Sequence, residues 1–211
     1  MNLLKSLLML SFTIFLFACT STKKINTSTS SIQSIRLVAQ KEIPYNLSFK
    51  NTVVGGLSSI DYDAKKKLFY LICDDRSYKN PARFYTAKIN ISSKSIDTIE
   101  LMDVHFLLQP DGTVYPNSKQ NKTNTPDPEA MRYNPITKKL VWSSEGERIV
   151  KATDTVLANA SINIISTKGK FIQSFPIPAN MHMQIMEKGP RQNGVFEGMT
   201  FADNYKTLFV N

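Results

Sequence analysis

The stretch "EAMRYNPITKKLVWSSEGER" at residues 129–148 decides how this chain is read. Met131 and Tyr133 stand two apart, as on one face of a strand. A polar turn carrying Lys138 and Lys139 follows, and then the apolar run Leu140-Val141-Trp142 leads into Glu145-Gly146-Glu147-Arg148. Period-two alternation, a turn and a short apolar run describe two antiparallel strands. The same pattern occurs in "SSIDYDAKKKLFYLICDDRS" (58–77) and again in "EGMTFADNYKTLFVN" (197–211). Ile60, Met131 and Met199 are equivalent positions, 71 and then 68 residues apart.

Further strand-like segments lie between these units. "ARFYTAKINI" and "DTIELMDV" follow the first, and "RIVKATDTV", "SINIIST" and "KFIQSFPIP" follow the second. They are rich in β-branched and aromatic residues and are bounded by Asn, Ser, Lys-Gly and Pro. No helical period stands out in the mature chain. Repeated four-stranded units predict an all-β fold, a β-propeller built of four-stranded antiparallel blades. A period near seventy exceeds an ordinary blade and implies long loops, for which "LQPDGTVYPNSKQNKTNTPDP" and "PANMHMQIMEKGPRQNGVF" are the candidates. The third unit holds a first strand and the start of a second. The chain therefore reads as a C-terminally truncated propeller of about two and a half blades; a compact open sandwich complete at 211 residues is the other architecture.

The first eighteen residues are expected to be a signal peptide. Lys5 precedes an apolar run from Leu7 to Phe17 that is short for a membrane span. Leu16-Phe17-Ala18-Cys19 resembles the lipobox of bacterial lipoproteins, which implies cleavage before Cys19 and its acylation. Residues 19–34, rich in Ser and Thr, read as a flexible tether, and 35–211 as the folded domain. Thr20 in place of an acidic residue leans towards the outer membrane, so the expected location is the cell envelope with a membrane anchor at Cys19. Of the two cysteines, Cys73 follows "LFYLI" and is expected to be a buried apolar side chain.

The net charge of +9 comes from dispersed lysines. No Arg-rich run with interleaved aromatics appears, and together with the export signal this argues against nucleic-acid binding. His105 and His182 are the only histidines, and no zinc spacing, Gly-x-Ser-x-Gly elbow or Gly-rich phosphate loop is present.

The segments "GGLSSIDYD", "LICDDRS", "ARFYTAKI", "DPEAMRYN", "WSSEGE" and "GVFEGMTF" resemble, in this order, the phytase-like family, described as the esterase-like branch of phytases. The resemblance runs from about Val53 to Asn211 and implies a propeller with a hydrolytic role on phosphate or other esters. In a propeller the starts of the first strands converge at one mouth of the central channel. Asp127, Glu129 and Glu197 occupy that place, with Ser58 and Ser59 equivalent in the first unit, and the second strands end in Asp74, Asp75, Glu145 and Glu147. Carboxylates gathered from separate blades repel unless a cation joins them, and hard oxygen ligands suit Ca²⁺. The expected metal ligands are Asp74, Asp75, Asp127, Glu129, Glu145 and Glu197. The expected catalytic residues are Glu129, Glu197, Arg76 and Arg191, with Arg76, Arg148 and Arg191 gripping phosphate oxygens. Asp75/Arg76 and Glu147/Arg148 as loop ion pairs, and Glu129 and Glu197 as acceptors from a neighbouring blade's backbone, are the structural alternatives. Asp61, Asp63 and Asp203 are expected in solvated turns. The functions in view are an envelope hydrolase, expected to be a monomer, acting on an anionic small-molecule ester, and a propeller that binds an extracellular ligand without turnover.

Overall fold

Asp63 and Asn134 hold equivalent places in the first two repeats, and each closes the turn between its strands. Asp63 Oδ1 accepts the backbone N–H groups of Lys65 and Lys66 at 3.0 and 3.1 Å, and Asn134 Oδ1 accepts those of Ile136 and Thr137 at the same distances. Lys67 and Lys138 then take positive φ, and the chain reverses. Asp63 was expected in solvent but is only 2% exposed, because its carboxylate is drawn under the turn by those N–H groups.

The computed structural model describes residues 32–211. The signal peptide, Cys19 and most of the tether lie outside the described residues. The chain from Val38 to Asn211 forms one unit. A hairpin of β1 (Ser48–Phe49) and β2 (Thr52–Val53) leads into a four-stranded antiparallel meander of β3 (Leu57–Asp63), β4 (Leu68–Cys73), β5 (Arg83–Ile91) and β6 (Ile96–Phe106). The second sheet takes β7 (Pro128–Asn134) and β8 (Lys139–Ser144), then β11 (Ser161–Ser166) and β12 (Phe171–Ser174). Between them β9 (Glu147–Val150) and β10 (Thr155–Ala158) form a separate hairpin. The segment "RIVKATDTV" thus leaves the blade rather than serving as its third strand. A third hairpin pairs β13 (Met199–Ala202) with β14 (Thr207–Val210). The fold is all-β, with four-stranded antiparallel blades in a propeller-like succession, and the one helical piece among the described residues is a 3-10 turn at Ala179–Met181.

The blades stack face to face because their middle strands are apolar on both sides. Along β8, Leu140 and Trp142 turn towards the first blade and join Tyr70, Ile72, Phe84, Met131, Tyr133 and Ile165 in one buried cluster. Val141, between them, joins Ala130, Ile162 and Met199 against Phe201, Leu208 and Val210 of the third hairpin. Tyr70 stacks on Tyr133 with ring centroids 5.4 Å apart. The opposite face of the first blade, with Leu71, Cys73 and Tyr85, is covered in part by Ile43, Leu47, Phe49 and Val54 from the chain before β3. Cys73 is buried as expected; its thiol donates to Gly55 O, and burial pushes its pKa up.

The inner strands β3 and β7 are not paired with each other, so the outward backbone of β7 needs other partners. Side chains of β3 supply them. Met131 N donates to Ser59 Oγ at 3.2 Å and Tyr133 N to Asp61 Oδ2 at 2.6 Å, while Arg132 donates to Ser59 Oγ at 2.7 Å. Asp61, expected in a solvated turn, is therefore a blade-to-blade bond. Replacing Met131, fully buried between the first two blades, by Ala should lower the unfolding free energy by about 2–5 kcal/mol, whereas Ile136→Ala in the exposed turn should change it by less than about 0.5 kcal/mol. Urea denaturation of the two variants checks this.

Candidate carboxylate and metal site

The first strands begin irregularly. Pairing runs Pro128 with Ser144 and then Met131 with Trp142, so one extra residue is accommodated at Glu129–Ala130. The first blade has the same shift between Leu57 and Ser59, which places Ser58 on the bulge where the second blade has Glu129. A bulge turns a side chain out of the alternating pattern of its strand. In the third unit the equivalent residue is Glu197, preceded by Phe196 at φ 60°.

Ser143 links the bulge that carries Glu129 to the residue before Glu197. Its hydroxyl is completely buried, accepts Ala130 N at 3.0 Å and donates to Phe196 O at 2.7 Å. The next residues extend the construction. Ser144 Oγ accepts Asp127 N at 2.9 Å, and Glu145 N donates to Asp127 O at 3.1 Å. Gly146 follows at φ 81°, where a Cβ would lie 2.3 Å from Ala158 O, so only glycine makes this corner. The corner separates Glu145, 3% exposed, from Glu147, which begins β9.

One oxygen each from Asp127, Glu129 and Glu145 lies within 4.8 Å of the others. Glu197 stands at the exposed edge. Its pKa is raised by a hydrogen bond to the Glu145 carboxyl, then by burial and the Glu145 charge. Burial pushes Glu129 up to about 8, with the charges of Asp127, Glu197, Glu145 and Asp74 adding to it. Asp127 is pushed up to about 6 by burial, although the Arg76 charge pulls the other way. Asp74 is exposed overall, but partial desolvation of its carboxyl and then the neighbouring Asp75 charge raise it too. A donor set of three or four hard oxygens, crowded and short of positive charge, fits a divalent cation of the Ca²⁺ type.

The remaining expected site residues are distributed differently. Asp75 stands apart: it accepts the N–H groups of Tyr78, Lys79 and Asn80 and an ion pair from buried Arg83 at 2.8 Å. Burial alone would raise it, but these donors hold it below the usual carboxylate range. The loop ion pairs cross rather than run along the chain, with Arg83 on Asp75 and Arg76 on both Asp127, at 3.5 Å, and Glu147. Arg76 thereby ties the first blade to the corner of the second. Arg148 spends its donors on the chain: its Nε and Nη2 donate to Gln184 O and Ile185 O. Arg191 is exposed and lines a cleft of about 400 Å³ with Arg148, Glu187, Pro190 and Gln192. Glu129 and Glu197 accept no hydrogen bond from a neighbouring blade's backbone among the described residues; Ser59 and Asp61 have that role. Ser143 and Gln192, which donates to Glu147 at 3.1 Å, were not singled out from sequence. The repeat alignment, which puts Ser143 just before the acidic corner, was the available signal.

A family model described as phytase-like, esterase-like activity of phytase, matches residues 52–211. A search of curated proteins finds no match.

Two outcomes follow from the geometry. Between the ordinary glutamate value and about 8, the folded state holds a proton on Glu129 that the unfolded chain has lost. In chelator, stability should therefore fall as pH rises through that window, by on the order of 1–2 kcal/mol after solvent screening. Glu129→Gln should flatten the fall above pH about 7, where Asp127 has largely finished titrating; thermal unfolding from pH about 5 to about 8.5 measures it. Ser143→Ala leaves Ala130 N and Phe196 O without their shared partner and should cost about 1–3 kcal/mol in urea unfolding.

Proposed function

The chain belongs to the phytase-like family, and on that footing we propose that it is a cell-envelope hydrolase of phosphate or related anionic esters that works with Ca²⁺. The family points to a hydrolase-type function. The observation that carries the finer reading is the convergence of Asp127 and Glu129 from the second blade, Glu145 from its acidic corner and Glu197 from the third unit on one mouth, with Arg76 beside them. Acidic side chains crowd together at such a cost for function more often than for stability.

Asp127, Glu129 and Glu145 would hold the ion. When bound, Ca²⁺ supplies neutralising charge and Lewis acidity towards a phosphoryl or carbonyl oxygen. Glu197, at the exposed rim and hydrogen-bonded to Glu145, is the group that takes a proton from water or returns one to the leaving oxygen at its carboxyl. Arg76 keeps Asp127 and Glu147 in place through its two ion pairs. Arg191, in the adjoining cleft, offers a guanidinium to the anionic part of the ester. The resemblance of Leu16-Phe17-Ala18-Cys19 to a lipobox supports the envelope location.

Hydrolysis of p-nitrophenyl phosphate, phytate and p-nitrophenyl acetate, with Ca²⁺ and with EGTA, tests the reading. Activity on at least one ester should fall about 10²-fold or more in EGTA and in Glu129→Gln, and stay within about threefold in Asp75→Asn, whose carboxylate organises its own loop. Retained binding of phosphate esters with no turnover under any condition would reassign the chain as a binding module.

A further inference from the structure

The connection from residue 175 to 198, between β12 and β13, crosses the acidic corner and is fastened there at several points. Met183 N donates to Asn159 Oδ1 at 2.8 Å. Arg148 Nε and Nη2 take Gln184 O and Ile185 O at 2.8 and 2.6 Å. Gln192 Nε2 donates to Glu147 Oε1 at 3.1 Å, and Gly194 N and Val195 N donate to Glu145 Oε1 at 2.6 and 3.4 Å. Between buried Met183 and buried Val195, almost every residue is exposed, including Ile185 at 63% and Met186 at 65%. The segment has no sheet or helix of its own there, so these side-chain bonds hold it down.

Glu145 therefore serves two partners. One is the carboxylate cluster and the other is the pair of N–H groups at Gly194 and Val195. Without a cation, no positive charge fixes the Glu145 carboxyl on the cluster side, and any displacement of it loosens its bonds to Gly194 and Val195. With a cation in the cluster, Glu145 is fixed where Gly194 and Val195 need it.

We propose that Arg148 latches the 175–198 connection over the carboxylate cluster, and that cation binding and closure of this strap are coupled through Glu145. The proposal rests on the reading of Asp127, Glu129 and Glu145 as a cation site. Arg148 touches neither the cluster nor the proposed reacting atoms; it is a positioning residue that acts through the strap. Because coupling between two equilibria is reciprocal, closure of the strap tightens the cation by the same factor by which the cation favours closure.

Lys188 and Arg191 are exposed in the strap and make it a trypsin substrate. The full chain is digested briefly with and without CaCl₂, cleavage at 188 and 191 is followed by mass spectrometry, and Ca²⁺ affinity is measured by calorimetry. In the native chain Ca²⁺ should slow cleavage at both positions about fivefold or more. Arg148→Gln should speed cleavage and also lower Ca²⁺ affinity, by no more than the factor by which Ca²⁺ slows cleavage in the native chain, a readout that loss of a merely structural contact would leave unmoved. Ca²⁺ binding that leaves cleavage unchanged, or an Arg148→Gln chain that is cleaved faster but binds Ca²⁺ as before, overturns the coupling and leaves the cation site standing. Calorimetry that detects no Ca²⁺ binding to the native chain removes both.

Discussion

The buried hydroxyl of Ser143 holds the site together. It accepts from the bulge of the second blade and donates to the residue before Glu197, so one oxygen sets the spacing between carboxylates that arise 68 residues apart. Everything acidic near it depends on that spacing. Ser144 and Glu145 position Asp127 through backbone bonds, Gly146 turns the chain where no other residue fits, and Arg76 closes the corner from the first blade. The blade faces on either side are apolar and well packed, and they supply the stability that lets several like charges stand close together.

The three units use one backbone device for different ends. At the bulge the first unit has Ser58 and the second Glu129, and Glu197 holds the equivalent position in the third. Ser58 and Ser59 spend their hydroxyls on the neighbouring strand, whereas the glutamates turn their charge to the mouth. A repeat can in this way keep its fold while its chemistry is confined to some of its copies. The membership in the phytase-like family, which covers nearly all of the folded unit, fits this division between scaffold and site.

Much of the architecture was legible because hydrophobic alternation and Asx turns act locally. The runs 68–70, 140–142 and 208–210 are second strands as their patterns required, and the two long loops lie where the repeat left surplus residues. The hairpin β9–β10 was not foreseen, since its residues have ordinary strand character and nothing local says which partner a strand will choose. The convergence of Asp127, Glu129 and Glu145 could be read from repeat position, but ion-pair partners could not. Asp75 and Arg76 are adjacent in sequence and point to different neighbours, because successive residues face opposite ways and their partners come from across the fold. Asp61 and Asp63 look alike in sequence and share a face of β3, yet differ in fate by their place along it: one reaches the next blade and the other, at the strand end, folds under its own turn.

Cys73 gives the first blade a reporter of its own opening. The residue is 1% exposed, its thiol donates to Gly55 O, and it belongs to the cluster that the segment before β3 helps to cover. A thiol in that position meets alkylating reagents only when the covering segment lifts or the blade comes apart. Its modification rate is thus a clock for how often this part of the protein breathes.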